Sequence, residues 1–147
     1  MNVPVVQSEL SQRIEASFLR QGLMQHLGAR LVPVEPGLCE VALPYSSHVN
    51  QQQGGFHGGA MGVLADIAGG YAALTQVGAD AEVTTVEYKI NFLAGFTGGK
   101  LRAVGRVMRA GKRIIVTTAE VMHLDASGKE SACALMQQTV ASIPKNY

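Results

Sequence analysis

One carboxylate stands out by its surroundings. Asp66 is the single charged residue between Ala60 and Val77, a run made mostly of Ala, Gly and larger apolar residues. A carboxylate held away from water is costly unless it is paired or used. Asp66 is therefore the leading candidate for acid–base or nucleophilic chemistry. Just upstream, Gln51 to Gly59 reads Q-Q-Q-G-G-F-H-G-G, polar and rich in glycine. If a helix begins at its end, the first N–H groups have no internal partners and carry the positive end of the helix dipole. Glycine lets a ligand approach them closely, and a developing oxyanion would be stabilised there. The plain alternative is that Gly54, Gly55, Gly58 and Gly59 only make a tight turn.

Gly58 and Asp66 are eight residues apart, roughly 12 Å along an ideal helix. Two groups acting on one carbonyl must each come within about 3 Å of it. Either Asp66 is structural, satisfied by neighbours, or it works against Gly58 of a second subunit. A two-fold dimer with adjacent antiparallel helices would supply that arrangement and make two sites. His57 either caps the helix or joins the site. His48 and His57 have no third ligand at zinc spacing, and Cys39 and Cys133 fit no metal pattern. No G-x-S-x-G elbow is present. No metal or redox cofactor is expected.

The elements that must position these residues follow from periodicity. Ser8 can cap a helix over Glu9–Arg20, with Leu10, Ile14, Phe18 and Leu19 inward and Gly22 as its end, so that the helical region covers about 8–22. Leu23–Leu27 adds a turn of helix before Gly28. Ala29–Val34 and Leu38–Leu43 read as strands joined at Glu35-Pro36-Gly37. The central helix spans about 58–77; apolar nearly all round, it must be covered on every side. Its acid and its glycines argue against a membrane span. Four strands follow: Glu82–Leu93, Lys100–Met108, Ile114–Leu124 and Glu130–Ser142. In the first, Val86, Tyr88, Ile90 and Phe92 alternate with Glu87, Lys89 and Asn91. The small side chains of the helix let a sheet approach it closely. No βαβ alternation appears, so the expected fold is α+β: one curved antiparallel β-sheet wrapped around a long central α-helix, in a single domain over 1–147.

Composition narrows the class. A chain of 147 residues, 47% apolar and with a net charge of +1, suits one compact domain and gives no sign of nucleic-acid binding. Met1–Gln7 reads as a loose lead-in without the features of a signal peptide, and the two cysteines are expected to be reduced. The expected location is cytoplasmic.

The run Gln51-x-x-Gly54-x-x-His57-Gly58-Gly59, then Leu64-Ala65-Asp66, Thr85-Val86-Glu87 and Asn91-Phe92-Leu93, resembles the hotdog-fold acyl-CoA thioesterases of the PaaI-like, phenylacetate-degradation type. The resemblance implies a hotdog fold, with subunits joined edge to edge as a homodimer and dimers paired into a tetramer. It also implies hydrolysis of acyl-CoA to a free acid and coenzyme A. By the same resemblance, the Gly58 N–H binds the thioester oxygen with His57 beside it, and Asp66 from the facing subunit is nucleophile or general base. Gln51 orients the carbonyl or water, and Thr85, with Thr84 as the fallback, positions the water. Ala94-Gly95 departs from the family at a turn where proline is common.

Arg106, Arg109, Lys112 and Arg113 cluster about the Ala110-Gly111 turn. They are either a solvated basic turn or, for Arg109, Lys112 and Arg113 especially, the site of the coenzyme A phosphates. The acyl group is expected to be aryl or medium-chain, with Met61, Leu64, Ile67 and Tyr71 candidates to shape its pocket. The alternative function is a non-catalytic acyl-CoA-binding or regulatory hotdog dimer.

Overall fold

The computed structural model describes residues 8–32 and 34–147. The lead-in expected over Met1–Gln7, and Pro33 within the first expected strand, lie outside them. The elements run α1 (Glu9–Leu19), α2 (Gly22–Leu27), β1 (Arg30–Leu31), β2 (Leu38–Pro44), α3 (Gly58–Leu74), β3 (Ala81–Phe92), β4 (Lys100–Ala110), β5 (Ile114–Leu124) and β6 (Glu130–Pro144). The strands form one antiparallel sheet in the order β1-β2-β4-β5-β6-β3, and it curls around α3, which touches β2 through β6.

The small residues of α3 are what let the sheet close on it. Ala65, Ala68, Ala72 and Ala73 are fully buried. At the nearest approach β4 also lacks a side chain: a Cβ on Gly105 would overlap the Ala68 carbonyl and stand 2.6 Å from the Gly69 nitrogen. Both ends of α3 are tied down. His57 is its N-cap, and His57 Nδ1 accepts from the Gly59 N–H at 2.7 Å. At the other end the Arg13 guanidinium donates to the carbonyls of Leu74 (2.8 Å) and Val77 (3.1 Å), matching a cation to the negative end of the helix.

Several sequence expectations need correction. Leu19 points outward, 58% exposed, because Leu10, Ile14 and Phe18 already make the inward stripe at four-residue spacing. Gly22 does not end the first helix: Arg20 caps it, and Gly22 opens α2, which stops at Gly28 in the left-handed region (φ 78°). Of the strand expected over Ala29–Val34, the described residues form only Arg30–Leu31 as a strand. The central helix stops at Leu74, where the Thr75 hydroxyl donates to the Ala72 carbonyl. The apolar residues of β3 are mostly uncovered: Val86 is 59% and Phe92 55% exposed, and of the four only Ile90 packs on the core. The reason is its place at the sheet edge, with a register shift between Thr85 and Glu87.

Candidate active site

Asp66 sits midway along α3, half-buried, with its side chain toward β3 and β6. Its Oδ1 atom accepts from the Thr85 hydroxyl at 2.7 Å and from the Gln138 amide nitrogen. The same amide nitrogen lies 3.0 Å from Thr85 Oγ1 and 3.3 Å from the Asp66 carbonyl. Gln138 Oε1 accepts from the Thr117 hydroxyl at 2.8 Å. Both Gln138 and Thr117 are completely buried. The network fits only because Gly69 has no side chain: a Cβ there would overlap Gln138 Oε1 and stand 2.7 Å from Thr117 Oγ1.

Asp66 and Thr85 share a wall of a cavity of about 400 Å³ between α1, α3, the start of β3 and Tyr147. Ile67, Tyr71 and Leu74 supply apolar surface, and Ser17, Gln21 and Glu82 polar surface. The Tyr71 hydroxyl receives the Gln21 amide at 2.7 Å and lies 3.1 Å from Ser17 Oγ. Burial pushes the pKa of that phenol up, making it a weaker acid, despite these bonds. Tyr147 stands at the rim, its hydroxyl on Glu82 and its ring 4.7 Å from the Arg20 guanidinium carbon. Of the side chains expected to shape an acyl pocket, Ile67 and Tyr71 line this cavity. Met61 and Leu64 do not; they are consumed by the core.

The glycine-rich stretch forms a compact turn. Gln51 N–H donates to the Gly55 carbonyl and His57 N–H to Val49 O, at 2.9 and 2.8 Å. The Gln51 side-chain oxygen accepts from the Gln53 N–H within the turn. The Gly58 N–H has no acceptor among the described residues, and the Phe92 ring lies over Gly58, with a Cβ there 3.4 Å from the ring. Thus β3 runs back along α3: Phe92 lies by Gly58, Tyr88 by Gly62 and Thr85 by Asp66.

Within one chain, then, Asp66 and Thr85 come together, while Gln51 lies in the turn that leads to His57 and Gly58 at the helix start, a little over two turns away. Arg106, Arg109, Lys112 and Arg113 are exposed on the β4–β5 hairpin, and none forms an ion pair among the described residues. No three His, Cys, Asp or Glu side chains among the described residues converge to hold a metal. No described helix is long and apolar enough to cross a membrane.

Gln138 and Thr117 were missed because they stand 72 and 51 residues from Asp66 in the chain. A signal existed all the same. On the inward face of β6, Gln138 interrupts the apolar pair Met136 and Val140, and on β5 Thr117 interrupts Ile115 and Ala119.

The family model of the thioesterase superfamily matches residues 53–127, the segment from the glycine-rich turn through β5. A protein of Saccharolobus solfataricus provisionally named an esterase is 36% identical over 113 residues, 77% of this chain and 79% of its own. A thioesterase family protein from Silicibacter pomeroyi is 34% identical, with a TM-score of 0.89 over 92% of this chain and 99% of that one. The Escherichia coli PaaI protein from the phenylacetic acid degradation operon shares the fold, with a TM-score of 0.79 at 23% identity over 93% of this chain and 98% of its own.

Proposed function

The chain belongs to the thioesterase superfamily and has the hotdog fold, and from that premise we propose that it hydrolyses acyl-CoA thioesters to a free acid and coenzyme A. The observation that carries this reading is the Asp66 carboxylate, paired with the Thr85 hydroxyl at 2.7 Å and opening on a cavity of about 400 Å³. That volume lies toward the small end of ligand pockets. It suits an aryl or medium-chain acyl group lying along Ile67 and Tyr71.

The site is completed by a second copy of the chain. The free edge of β3 carries exposed apolar side chains, and antiparallel pairing of two such edges would bury them. Because β3 runs back along its own α3, that pairing inverts the alignment. The partner's helix start then comes toward Asp66. Its unpartnered Gly58 N–H receives the thioester oxygen as negative charge develops there, with His57 holding the turn and Gln51 orienting the carbonyl or the water. Asp66 either takes a proton from the attacking water or attacks the carbonyl carbon itself; in both cases coenzyme A leaves as the thiolate, and in the second the mixed anhydride on Asp66 is then hydrolysed by water to the free acid and the restored carboxylate. Arg109, Lys112 and Arg113 meet the coenzyme A phosphates. Two such dimers pair as a tetramer, and the protein works in the cytoplasm without a metal or redox cofactor.

The test is coenzyme A release from aromatic, short, medium and long acyl-CoAs by wild type and Asp66→Asn. The variant should fold and assemble normally, since removing a partly buried charge does not oppose stability. Its kcat on the best substrate should fall about 10²-fold or more, the scale of a lost acid–base group. Turnover at the wild-type rate would leave Asp66 structural and sink the mechanism.

A further inference from the structure

We infer that Gln138 is a positioning residue for this hydrolysis: its buried amide fixes Asp66 through Oδ1 and so presents Oδ2 as the reacting oxygen. The inference rests on the hydrolytic reading of Asp66 given above and adds to it a residue that touches no substrate.

The geometry comes first. Gln138 is 0% exposed, at the middle of β6, between strands β5 and β3. Every polar atom of its side chain is engaged. Oε1 takes the Thr117 hydroxyl at 2.8 Å, while Nε2 reaches Asp66 Oδ1, the Asp66 carbonyl and Thr85 Oγ1. The orientation of the amide is set by its surroundings. An ionised carboxylate only accepts, so the NH₂ side must face Asp66, and the Thr117 proton then holds the opposite oxygen. Reversing the amide would set Oε1 against a carboxylate.

The consequence for the acid is asymmetric. Oδ1 receives two donors, and Oδ2 receives none among the described residues. With its side-chain torsions pinned by Oδ1, the carboxylate can turn only one oxygen toward the cavity. The same count restricts Thr85. Its proton goes to Asp66 and one lone pair accepts from Gln138, which leaves one lone pair. Thr85 can therefore position a water only by accepting from it.

A structural explanation alone is weak. A Met at this position would continue the apolar stripe of Met136 and Val140 and need no partners. A buried amide costs free energy unless all its bonds are made, and α3 must give up a side chain at Gly69 to admit this one.

The experiment is a double-mutant cycle on the best acyl-CoA substrate, with Gln138→Met and Asp66→Asn made singly and together. Gln138→Met should lower kcat by about 10- to 100-fold, the range for losing a hydrogen bond to a charged group. KM should stay within about two-fold, because the amide touches no substrate. In the Asp66→Asn background Gln138→Met should cost nothing further. A wild-type kcat for Gln138→Met, or the same factor lost in both backgrounds, overturns the proposal. If Gln138→Met fails to fold, Thr117→Val decides. It removes only the donor that orients the amide, and should give a smaller loss of kcat that again vanishes with Asp66→Asn; no loss, or equal loss in both backgrounds, is the negative result. If the wild type releases coenzyme A from no thioester, the hydrolytic reading falls and takes this role with it. An active wild type with an additive cycle removes the role of Gln138 alone.

Discussion

A single methyl group added at either of two neighbouring glycines of α3 should move stability in opposite directions. At Gly69 the new Cβ overlaps Gln138 Oε1 and stands 2.7 Å from Thr117 Oγ1 and 3.2 Å from Met136 Cε. Only Met136 is flexible enough to yield cheaply, since the other two atoms are held by the bond between them. Overpacking of this kind costs about 1–3 kcal/mol. Displacing Gln138 also breaks buried hydrogen bonds and strands their partners, about 2 kcal/mol more. Against this, alanine is the better helix former by about 0.8–1 kcal/mol. Gly69→Ala should thus lose about 2–4 kcal/mol net on these figures. At Gly70 a Cβ meets nothing within 4 Å, so only the propensity term acts and Gly70→Ala should gain about 0.8–1 kcal/mol. The two variants should then differ in Tm by about 10 °C, taking about 2–4 °C per kcal/mol at this size. Thermal denaturation followed by circular dichroism measures the difference, at one fixed protein concentration because the proposed assembly would contribute to Tm. Equal shifts, or a stabilised Gly69→Ala, would refute the packing argument.

Three further outcomes are expected. Mixing inactive Asp66→Asn and Gln51→Ala subunits should restore part of the activity, because one site of each mixed dimer receives both intact residues; a verified mixed dimer with no activity would break the shared-site model. Neutralising Arg109, Lys112 or Arg113 should raise KM for full coenzyme A esters and leave truncated thioesters without the nucleotide nearly unchanged; equal effects would return the hairpin to a solvated turn. Burial pushes the Cys39 thiol from 9.0 up to about 12 and the Cys133 thiol up to about 11. The unfolded chain therefore releases these protons first, so the thiols' contribution is intact below pH 9 and is lost as pH rises from 9 through 11 to 12. Each thiol adds a slope of about 1.4 kcal/mol per pH unit in its window. Tm measured from pH 8 to 11 should fall less steeply in Cys39→Ala/Cys133→Ala, and an unchanged slope would count against buried neutral thiols.

What the sequence disclosed, and what it withheld, divides along the range of the interactions. The central helix was legible because its signals are local: a polar glycine-rich entry, a cap residue at its start and a long run of small apolar side chains. The β4–β5 and β5–β6 hairpins were legible for the same reason, since Ala110-Gly111-Lys112 and Asp125–Lys129 are turns between alternating runs. The exposure of β3 was not legible. Val86, Tyr88 and Phe92 have the pattern of a half-buried strand, and only the strand order puts them on an edge with no further strand among the described residues.

The candidate site divides in the same way, and the division bears on how the acid works. Asp66 is conspicuous in sequence because nothing near it in the chain can satisfy it. The groups that do satisfy it come from β3 and β6, and their arrival depends on sheet register. Shifting β6 by one residue would turn Gln138 out to solvent and bring Gln137 or Thr139 in. The carboxylate is thus held by the long-range part of the fold, while the helix start that would meet the substrate oxygen is held mostly by a local turn and a cap, with one long-range tie from the Phe56 N–H to the Phe96 carbonyl. Mutations that loosen the sheet should therefore misplace the acid before they disturb the proposed oxyanion donor. In kinetics that means kcat falling while the partner's Gly58 N–H is still correctly placed. Loss of the turn around Gln51 to His57 should instead weaken the oxyanion contact with Asp66 still in register.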